Sequence, residues 1–343
     1  MKALIVESPG RLNLRNLDEP APGPYEALVR IDACGFCGTT DREIIKGTQP
    51  SHHAYPAVLG HESTGKVVAL GAKVRHFAVG DRVVRPAAIW PGTQRDGMAS
   101  GWGGFAEFGI VRDREAMARD GDPSMLDDYT ALRQMIVPGE LTPGEAVISI
   151  ALAETSSWLH QMPPVAGRTV CVSGTGIAGL GIGLFSKLAG ASTVIVLGRR
   201  EERLTLARNI CADAAINVTS INWREEVRDL TGGGVSLFVE AVGQADQVHI
   251  GFGVLAPGGT VGVYGVAPNQ EYHLNWGRSC GDASVRLAPA LEHRTAPWIW
   301  DLLRRKIVKA DDFLTHRWPL AEFETALREI DAGHVLKGLL EIS

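Results

Sequence analysis

The sequence predicts a two-domain α/β protein, with a doubly wound parallel sheet beside a barrel-like, all-β body. Three observations predict it. The chain has 343 residues, more than one ordinary domain holds. From about residue 168, strand-like and helix-like runs alternate at the lengths of right-handed βαβ units. Before about residue 150, short strands are punctuated by Gly and Pro.

In the first part, "ALVRIDACG", "STGKVVALG" and "GDRVVRPAA" are strand-like runs bounded by turn residues. Residues 90–104, "WPGTQRDGMASGWGG", read as a loop by composition. The second part opens on "RTVCVSG", an apolar β-rich run, followed by "IAGLGIGLFSKLAG", a helix ending at Gly. "STVIVLG" is a second buried strand, "REERLTLARNI" an amphipathic helix and "AAINV" a short strand. A helix "NWREEVRDLTGGG", a strand "VSLFVEAVG", a helix "QADQVHIGFGVL" and a strand "GTVGVYG" complete the alternation. The tail from about Leu287 holds a helix "APWIWDLLRRKI", a strand "FLTHRWPL", a helix "AEFETALREIDAG" and a last strand "VLKGLLEIS". Such a tail can return to the first domain. Trp298 and Trp300 read as helix packing, and the loop histidines His52 and His53 as solvated.

Composition narrows the partners. A net charge of -5 and a pI near 6.1 argue against a nucleic-acid or anionic-membrane surface. Five cysteines without a regular framework do not make a disulfide scaffold. The N-terminus lacks a basic region followed by an apolar core, so no signal peptide is expected and the cytoplasm is the default. Residues 169–186 are long and uncharged, but glycines at a motif spacing break them, as expected of a buried strand and helix.

Gly174, Gly176 and Gly179 form "GTGIAG", a G-x-G-x-x-G that directly follows a strand and opens a helix. That context is what a dinucleotide site needs. The first Gly makes the tight turn, the second lets backbone approach a pyrophosphate, and the third packs helix on strand. Ile177 and Ala178 lie in the turn where helix N–H groups face the phosphates. The second strand ends "VIVLGRREER". Gly198 stands where an acidic residue would bind the ribose 2′-OH of NAD, and Arg199 and Arg200 follow. Two guanidiniums can pair a 2′-phosphate, so NADP is favoured over NAD.

"ACGFCGTTDREIIKG" holds Cys34 and Cys37 in a C-x-x-C. The spacing alone leaves open a redox pair, half of a structural zinc site, or one metal ligand beside a bystander. His61 and Glu62 follow in "LGHESTG". The set "CGFCGTTD", "PAVLGHESTGKVVALGAKVRHFAVGDRV", "GGFAEF", the glycine fingerprint and "LAPGGTVGVYGV" resembles the zinc-dependent medium-chain alcohol and polyol dehydrogenases, over essentially the whole chain.

The resemblance implies a GroES-like catalytic domain, residues 1–154 and 287–343, and a Rossmann domain, residues 155–286. It implies one catalytic zinc, with Cys37 and His61 as ligands and Glu62 as a carboxylate that binds the ion or stands close beside it. Glu154, in "IALAETSSW", matches the carboxylate ligand of sorbitol-dehydrogenase-like members. Cys34 is then a packed bystander. Thr39 matches the hydroxyl that relays the substrate proton, and Lys337 the basic residue that contacts the cofactor pyrophosphate. Family members are dimers or tetramers. The reaction implied is hydride transfer between a nicotinamide cofactor and a polyol, sugar or other secondary alcohol. "TDREIIKG" and "GRRE" resemble the archaeal glucose dehydrogenases, which makes an aldose a candidate.

Two departures stand out. Residues 82–104 contain no cysteine, so the four-cysteine structural zinc of many members is not expected, and the segment must be held by Trp90, Trp102 and its prolines or stay mobile. The family's C-G-[ST]-D, whose Asp supports the ligand His, is here C-G-T-T-D. Either Asp41 reaches the histidine despite a one-residue shift, or Thr40 takes its place with a neutral side chain. Two other functions compete: a zinc-free enone or quinone reductase of the same fold, and a non-catalytic NADPH-binding protein.

Overall fold

The computed structural model describes residues 1–50, 52, 54–265 and 282–342. Contacts divide it into two units, residues 1–150 with 296–343, and residues 151–295. His53 and Val266, the last residue of the "LAPGGTVGVYGV" run, lie outside the described residues.

The second unit is the doubly wound sheet. Its six described strands run in the spatial order Ala214–Asn217, Thr193–Gly198, Thr169–Ser173, Val235–Glu240, Leu255–Val263 and Ser284–Leu287, all parallel. The order reverses between Thr169–Ser173 and Val235–Glu240, and the crevice outside the carboxyl ends of such a pair is where open α/β sheets bind ligands. The helices Ile177–Leu188, Glu201–Ile210, Trp223–Thr231 and Asp246–Phe252 connect the strands. The apolar strand runs are continuous because both sheet faces are covered. On one face Cys171, Ile195, Phe238 and Val261 pack with Trp223, Val227 and Phe252.

The first unit carries two sheets. One has the order Arg11–Asn16, Lys2–Ser8, Ala57–Val58, Met98–Ser100, Gln94–Arg95. The other runs Ile136–Val137, Arg82–Val84, Glu62–Leu70, Glu26–Phe36, Lys337–Glu341, Leu314–Pro319, with Phe108–Arg112 also paired to Glu26–Phe36. The tail therefore does return to the first unit. The strand Lys337–Glu341 lies antiparallel to residues 33–36, which pair on their other side with residues 62–64. This juxtaposition places Cys37, Glu62 and Lys337 at one end of the sheet.

Two sequence expectations need correction. Residues 90–104 are not all loop: Gln94–Arg95 and Met98–Ser100 form a hairpin around Asp96 (φ 52) and Gly97 (φ 73). Asp-Gly is a strong hairpin signal, because both central residues of a tight primed turn need φ > 0. The hairpin is tied down by Ser100, paired to Val58, and by Arg95 donating to the carbonyls of Asp18 and Glu19 at 2.9 and 2.8 Å. Trp90 is buried beneath the Arg112 guanidinium, 3.7 Å from its ring. His52 is not solvated either; it is buried, edge-on to Tyr55. Trp300 packs as expected and donates its Nε1 proton to Ser149 Oγ at 3.0 Å, whereas Trp298 is 39% exposed.

Candidate active site

Cys37 and His61 meet because two adjacent strands of one sheet deliver them. The strand Glu26–Phe36 ends one residue before Cys37, and Glu62–Leu70 begins one residue after His61. Gly35 pairs directly with Glu62. Among the described residues, Cys37, His61 and Glu62 form a group whose candidate ligand atoms all lie within 4.8 Å of one another. A thiol, an imidazole and a carboxylate are the donor set of a catalytic zinc site with room for a further ligand.

The extra threonine does not disconnect the aspartate. Thr40 opens the short helix Thr40–Lys46, and Asp41 turns inward from its first turn. Asp41 is fully buried, with Oδ1 3.1 Å from His61 Nδ1 and Oδ2 accepting the Cys37 backbone N–H at 2.8 Å. One carboxylate therefore holds both candidate ligand residues. With Nδ1 engaged by Asp41, Nε2 is the ring nitrogen left for a metal, the arrangement that fixes a ligand tautomer. Burial disfavours the imidazolium, but the charge and hydrogen bond of Asp41, with a smaller contribution from Cys37, hold the His61 pKa well above its ordinary value.

Glu62 is buried and paired with a buried cation. Lys337 Nζ lies 2.5 Å from its Oε2 and also donates to the Phe36 carbonyl at 3.3 Å. Burial pushes the Glu62 carboxyl up; Lys337, then His61 and Arg85, bring it below the usual range. Burial likewise lowers the Lys337 pKa, but Glu62, with Cys37 and Asp41 behind it, brings it above the ordinary value. Breaking such a pair typically costs about 3–5 kcal/mol, because the survivor is a buried unpaired charge. In this structure the Lys337 ammonium is spent on Glu62.

Thr39 precedes the helix with an exposed side chain that makes no capping hydrogen bond. Glu154 is half-buried on the helix Pro143–Leu159, beyond residue 150 and so in the second unit. The three-residue cluster is formed within the first. Cys34 is fully buried against Leu4, Phe36, Phe105 and Trp318, and burial pushes its thiol pKa up. Cys34 and Cys37 are both free thiols.

Sequence reasoning missed the arginines around His61. Arg85 is buried at φ 58 and donates Nη1 to the His61 carbonyl at 2.6 Å. Trp102, expected only to anchor its segment, lies 5.4 Å from the His61 ring. Arg133 is buried nearby, its guanidinium 3.5 Å above the Tyr129 ring. Residues so far apart along the chain carry no motif, and their types alone suggest a solvated surface.

In the second unit the glycine fingerprint sits at the strand-order reversal. Gly174 has φ 124 and lies against Ala241, which follows Val235–Glu240; a Cβ on Gly174 would stand 2.9 Å from the Ala241 carbonyl oxygen. A Cβ on Gly179 would stand 2.0 Å from the Gly174 carbonyl oxygen, so helix and turn meet backbone to backbone. Gly176 is different: it caps the helix Ile177–Leu188, and a Cβ there would meet nothing within 4 Å. That open space over the helix N-terminus fits a pyrophosphate.

Gly198 has a packing reason as well as an electrostatic one, since a Cβ there would stand 2.6 Å from Thr175 Cγ2. Arg199 and Arg200 are exposed just before the helix Glu201–Ile210. A third arginine, Arg203, is buried in its first turn. Burial, then the Arg200 charge, lowers its pKa. Arginines this close favour an anion between them.

Residues 23–120 match the family model for the alcohol dehydrogenase GroES-like domain, and residues 178–291 that for zinc-binding dehydrogenases. An alcohol dehydrogenase of Cupriavidus necator is 32% identical over 285 residues, 78% of this chain and 76% of that protein. The sorbitol dehydrogenase of Halalkalibacterium halodurans is 26% identical over 348 residues, 99% of each chain. A protein from Sinorhizobium meliloti, described as a zinc-binding dehydrogenase and solved with NADP bound, superposes with a TM-score of 0.81 at 27% identity, covering 99% of both chains. With a thiol, imidazole and carboxylate gathered on one sheet and a dinucleotide fingerprint on the other unit, the chain belongs to the zinc-dependent medium-chain alcohol and polyol dehydrogenases, oxidoreductases that use a nicotinamide cofactor.

Proposed function

We propose that this chain is an NADP(H)-preferring dehydrogenase of a polyol, sugar or other secondary alcohol, with one catalytic zinc. The observation that carries it is the Cys37–His61–Glu62 cluster with Asp41 behind two of its members. Cys37 Sγ and His61 Nε2 would hold the ion, with Glu62 or Glu154 as the carboxylate. Zinc at such a site lowers the pKa of a substrate hydroxyl, and the nicotinamide accepts or donates the hydride.

The remaining roles fall to side chains. The Thr39 hydroxyl, not used as a helix cap, passes the substrate proton outward. The backbone of Gly174, Gly176, Ile177, Ala178 and Gly179 receives the pyrophosphate. Gly198, Arg199 and Arg200 read the adenosine ribose and its 2′-phosphate. Lys337 contacts the pyrophosphate only if it leaves Glu62. Free thiols at all four described cysteines fit a reducing compartment such as the cytoplasm. No described helix is long and apolar enough to cross a membrane. A homo-oligomer, dimer or tetramer, is the expectation that the family resemblance carries.

The test combines metal analysis with a panel of polyols, sugars and secondary alcohols offered with NADP and NAD in parallel. The expected result is stoichiometric zinc and chelator-sensitive oxidation with NADP. Chelator-insensitive reduction of enones by a zinc-free chain would replace this reading with the zinc-free reductase. NADPH binding without any turnover would leave a cofactor-binding protein.

The cofactor preference has its own test. Charge-assisted hydrogen bonds are worth about 1.5–3 kcal/mol each, or roughly tenfold or more in affinity. A double Arg199→Ala, Arg200→Ala variant is therefore expected to raise the KM for NADP by at least about tenfold. Its KM for NAD should barely change. A wild-type preference for NAD would remove the argument for both arginines.

A further inference from the structure

Glu240 ends the strand Val235–Glu240, one of the two strands between which the parallel sheet reverses its order. It is fully buried. Asp41 and Glu62, buried in the first unit, face His61 and Lys337. Glu240 forms no ion pair among the described residues. Burial pushes its carboxyl above the ordinary range, and backbone N–H groups are what oppose that rise. An apolar side chain of the same size would cost the fold less at this place.

What the carboxylate does is hold a loop. Its Oε1 accepts the backbone N–H groups of Val242 and Gly243, both at 2.7 Å. Its Oε2 makes no hydrogen bond among the described residues, so one oxygen carries both tethers. The Glu240 carbonyl accepts the N–H groups of Tyr264 and Gly265, at 2.9 and 3.0 Å, just after the neighbouring strand Leu255–Val263. The two segments meet closely, since a Cβ on Gly265 would stand 2.3 Å from the Gly243 nitrogen. Gly243 has φ 81, a left-handed conformation that the free chain does not hold by itself. The loop is also fixed to the fingerprint strand. Ala241 donates its N–H to the Ser173 carbonyl at 3.0 Å, and Ser173 Oγ donates to Gln247 Oε1 at 2.7 Å. Val242, by contrast, is 44% exposed. The loop backbone is thus gripped from inside the sheet while its valine faces out, beside Gly174 and the crevice.

We propose that Glu240 is a positioning residue for the dinucleotide: it presets residues 241–244 beside Gly174, so that the cofactor meets a finished wall of the crevice. The inference rests on the dinucleotide reading of the fingerprint and adds a residue to it. Glu240 is buried and acts through Val242 and Gly243, without touching the cofactor itself. A loop that visits other conformations binds with an affinity reduced by the fraction of time it spends in the competent one. Losing both tethers therefore weakens cofactor binding and leaves the hydride step unchanged once the cofactor is bound.

The experiment compares Glu240→Gln, which keeps an oxygen for both N–H groups, with Glu240→Leu, which keeps the volume and removes both acceptors. NADPH is titrated into the full-length chains without alcohol and followed by its own fluorescence, with NADP saturation kinetics beside it. Glu240→Leu is expected to raise the Kd for NADPH and the KM for NADP by about tenfold or more, with kcat at saturating NADP within about threefold of wild type. Glu240→Gln should stay within about threefold of wild type in all three. Amide hydrogen exchange supplies a measurement that needs no variant: Val242 and Gly243 should be protected in the wild-type chain before any cofactor is added. In Glu240→Leu that protection should be lost while the strand Thr169–Ser173 keeps its own. An unchanged Kd in Glu240→Leu overturns the proposal, as does free exchange at Val242 and Gly243 in wild type until NADPH is added. Loss of protection throughout the parallel sheet of Glu240→Leu makes Glu240 a residue of the fold alone and overturns the positioning role. A wild-type chain that binds neither NADPH nor NADH overturns the dinucleotide reading, and the positioning role with it.

Discussion

Cys37→Ser is expected to lose stoichiometric zinc and at least about a hundredfold of alcohol oxidation while keeping its fold and its affinity for NADPH. The Cys37 thiolate is the proposed ligand, and a serine hydroxyl does not deprotonate at neutral pH to replace it. The backbone N–H of residue 37 would still donate to Asp41, and the side chain is only half-buried, so little packing is lost. Metal analysis, steady-state kinetics and a cofactor titration on one preparation separate these effects. A variant that keeps zinc and full activity would remove Cys37 from the site and reopen the meaning of the C-x-x-C.

The second large effect is at Asp41. Groups that orient a metal ligand are worth about 10–100-fold in metal affinity or activity. Asp41 holds two of the proposed ligands, through His61 Nδ1 and the Cys37 backbone N–H. Asp41→Asn keeps an oxygen that can accept from one of them but loses the charge beside the imidazole. Zinc affinity measured by competition with a chelator should fall by about 10–100-fold. Asp41→Ala leaves a cavity and an unsatisfied buried N–H, adding about 1–3 kcal/mol of destabilisation. Thermal unfolding should therefore distinguish the two variants more sharply than activity does. Equal zinc affinity in wild type and Asp41→Asn would mean that Thr40 or water had taken over.

Much of the architecture was legible because it is written locally. The alternation of apolar strands and amphipathic helices, and three glycines after a strand, are patterns within about 30 residues of one another. The proposed metal residues could be singled out only through resemblance, since Cys37 and the adjacent His61 and Glu62 carry no decisive spacing of their own; the structure brings the three together. The fate of Asp41 was not legible. Whether a one-residue shift moves a side chain away depends on where the helix begins, and Thr40 could equally have extended the preceding turn. The hairpin at 94–100 carried a readable Asp-Gly signal that its Gly-rich composition masked. Lys337, Arg85 and Arg133 were illegible as partners. Each is brought to the cluster by strand pairing or by a buried amide across long stretches of chain, and nothing local marks them.

The pairing of Glu62 with Lys337 spans 275 residues, and this sets a timetable for biosynthesis. At about 5–20 residues per second, a ribosome needs roughly 15 to 55 s to travel from one partner to the other. Throughout that interval residues 33–36 have one sheet edge without its final neighbour, and Glu62 lacks the ammonium it is paired with in the finished fold. The nucleotide unit, by contrast, is contiguous and can close while translation continues. The Cys37–His61–Glu62 group therefore gains its last neighbour, Lys337, only when the final strand arrives.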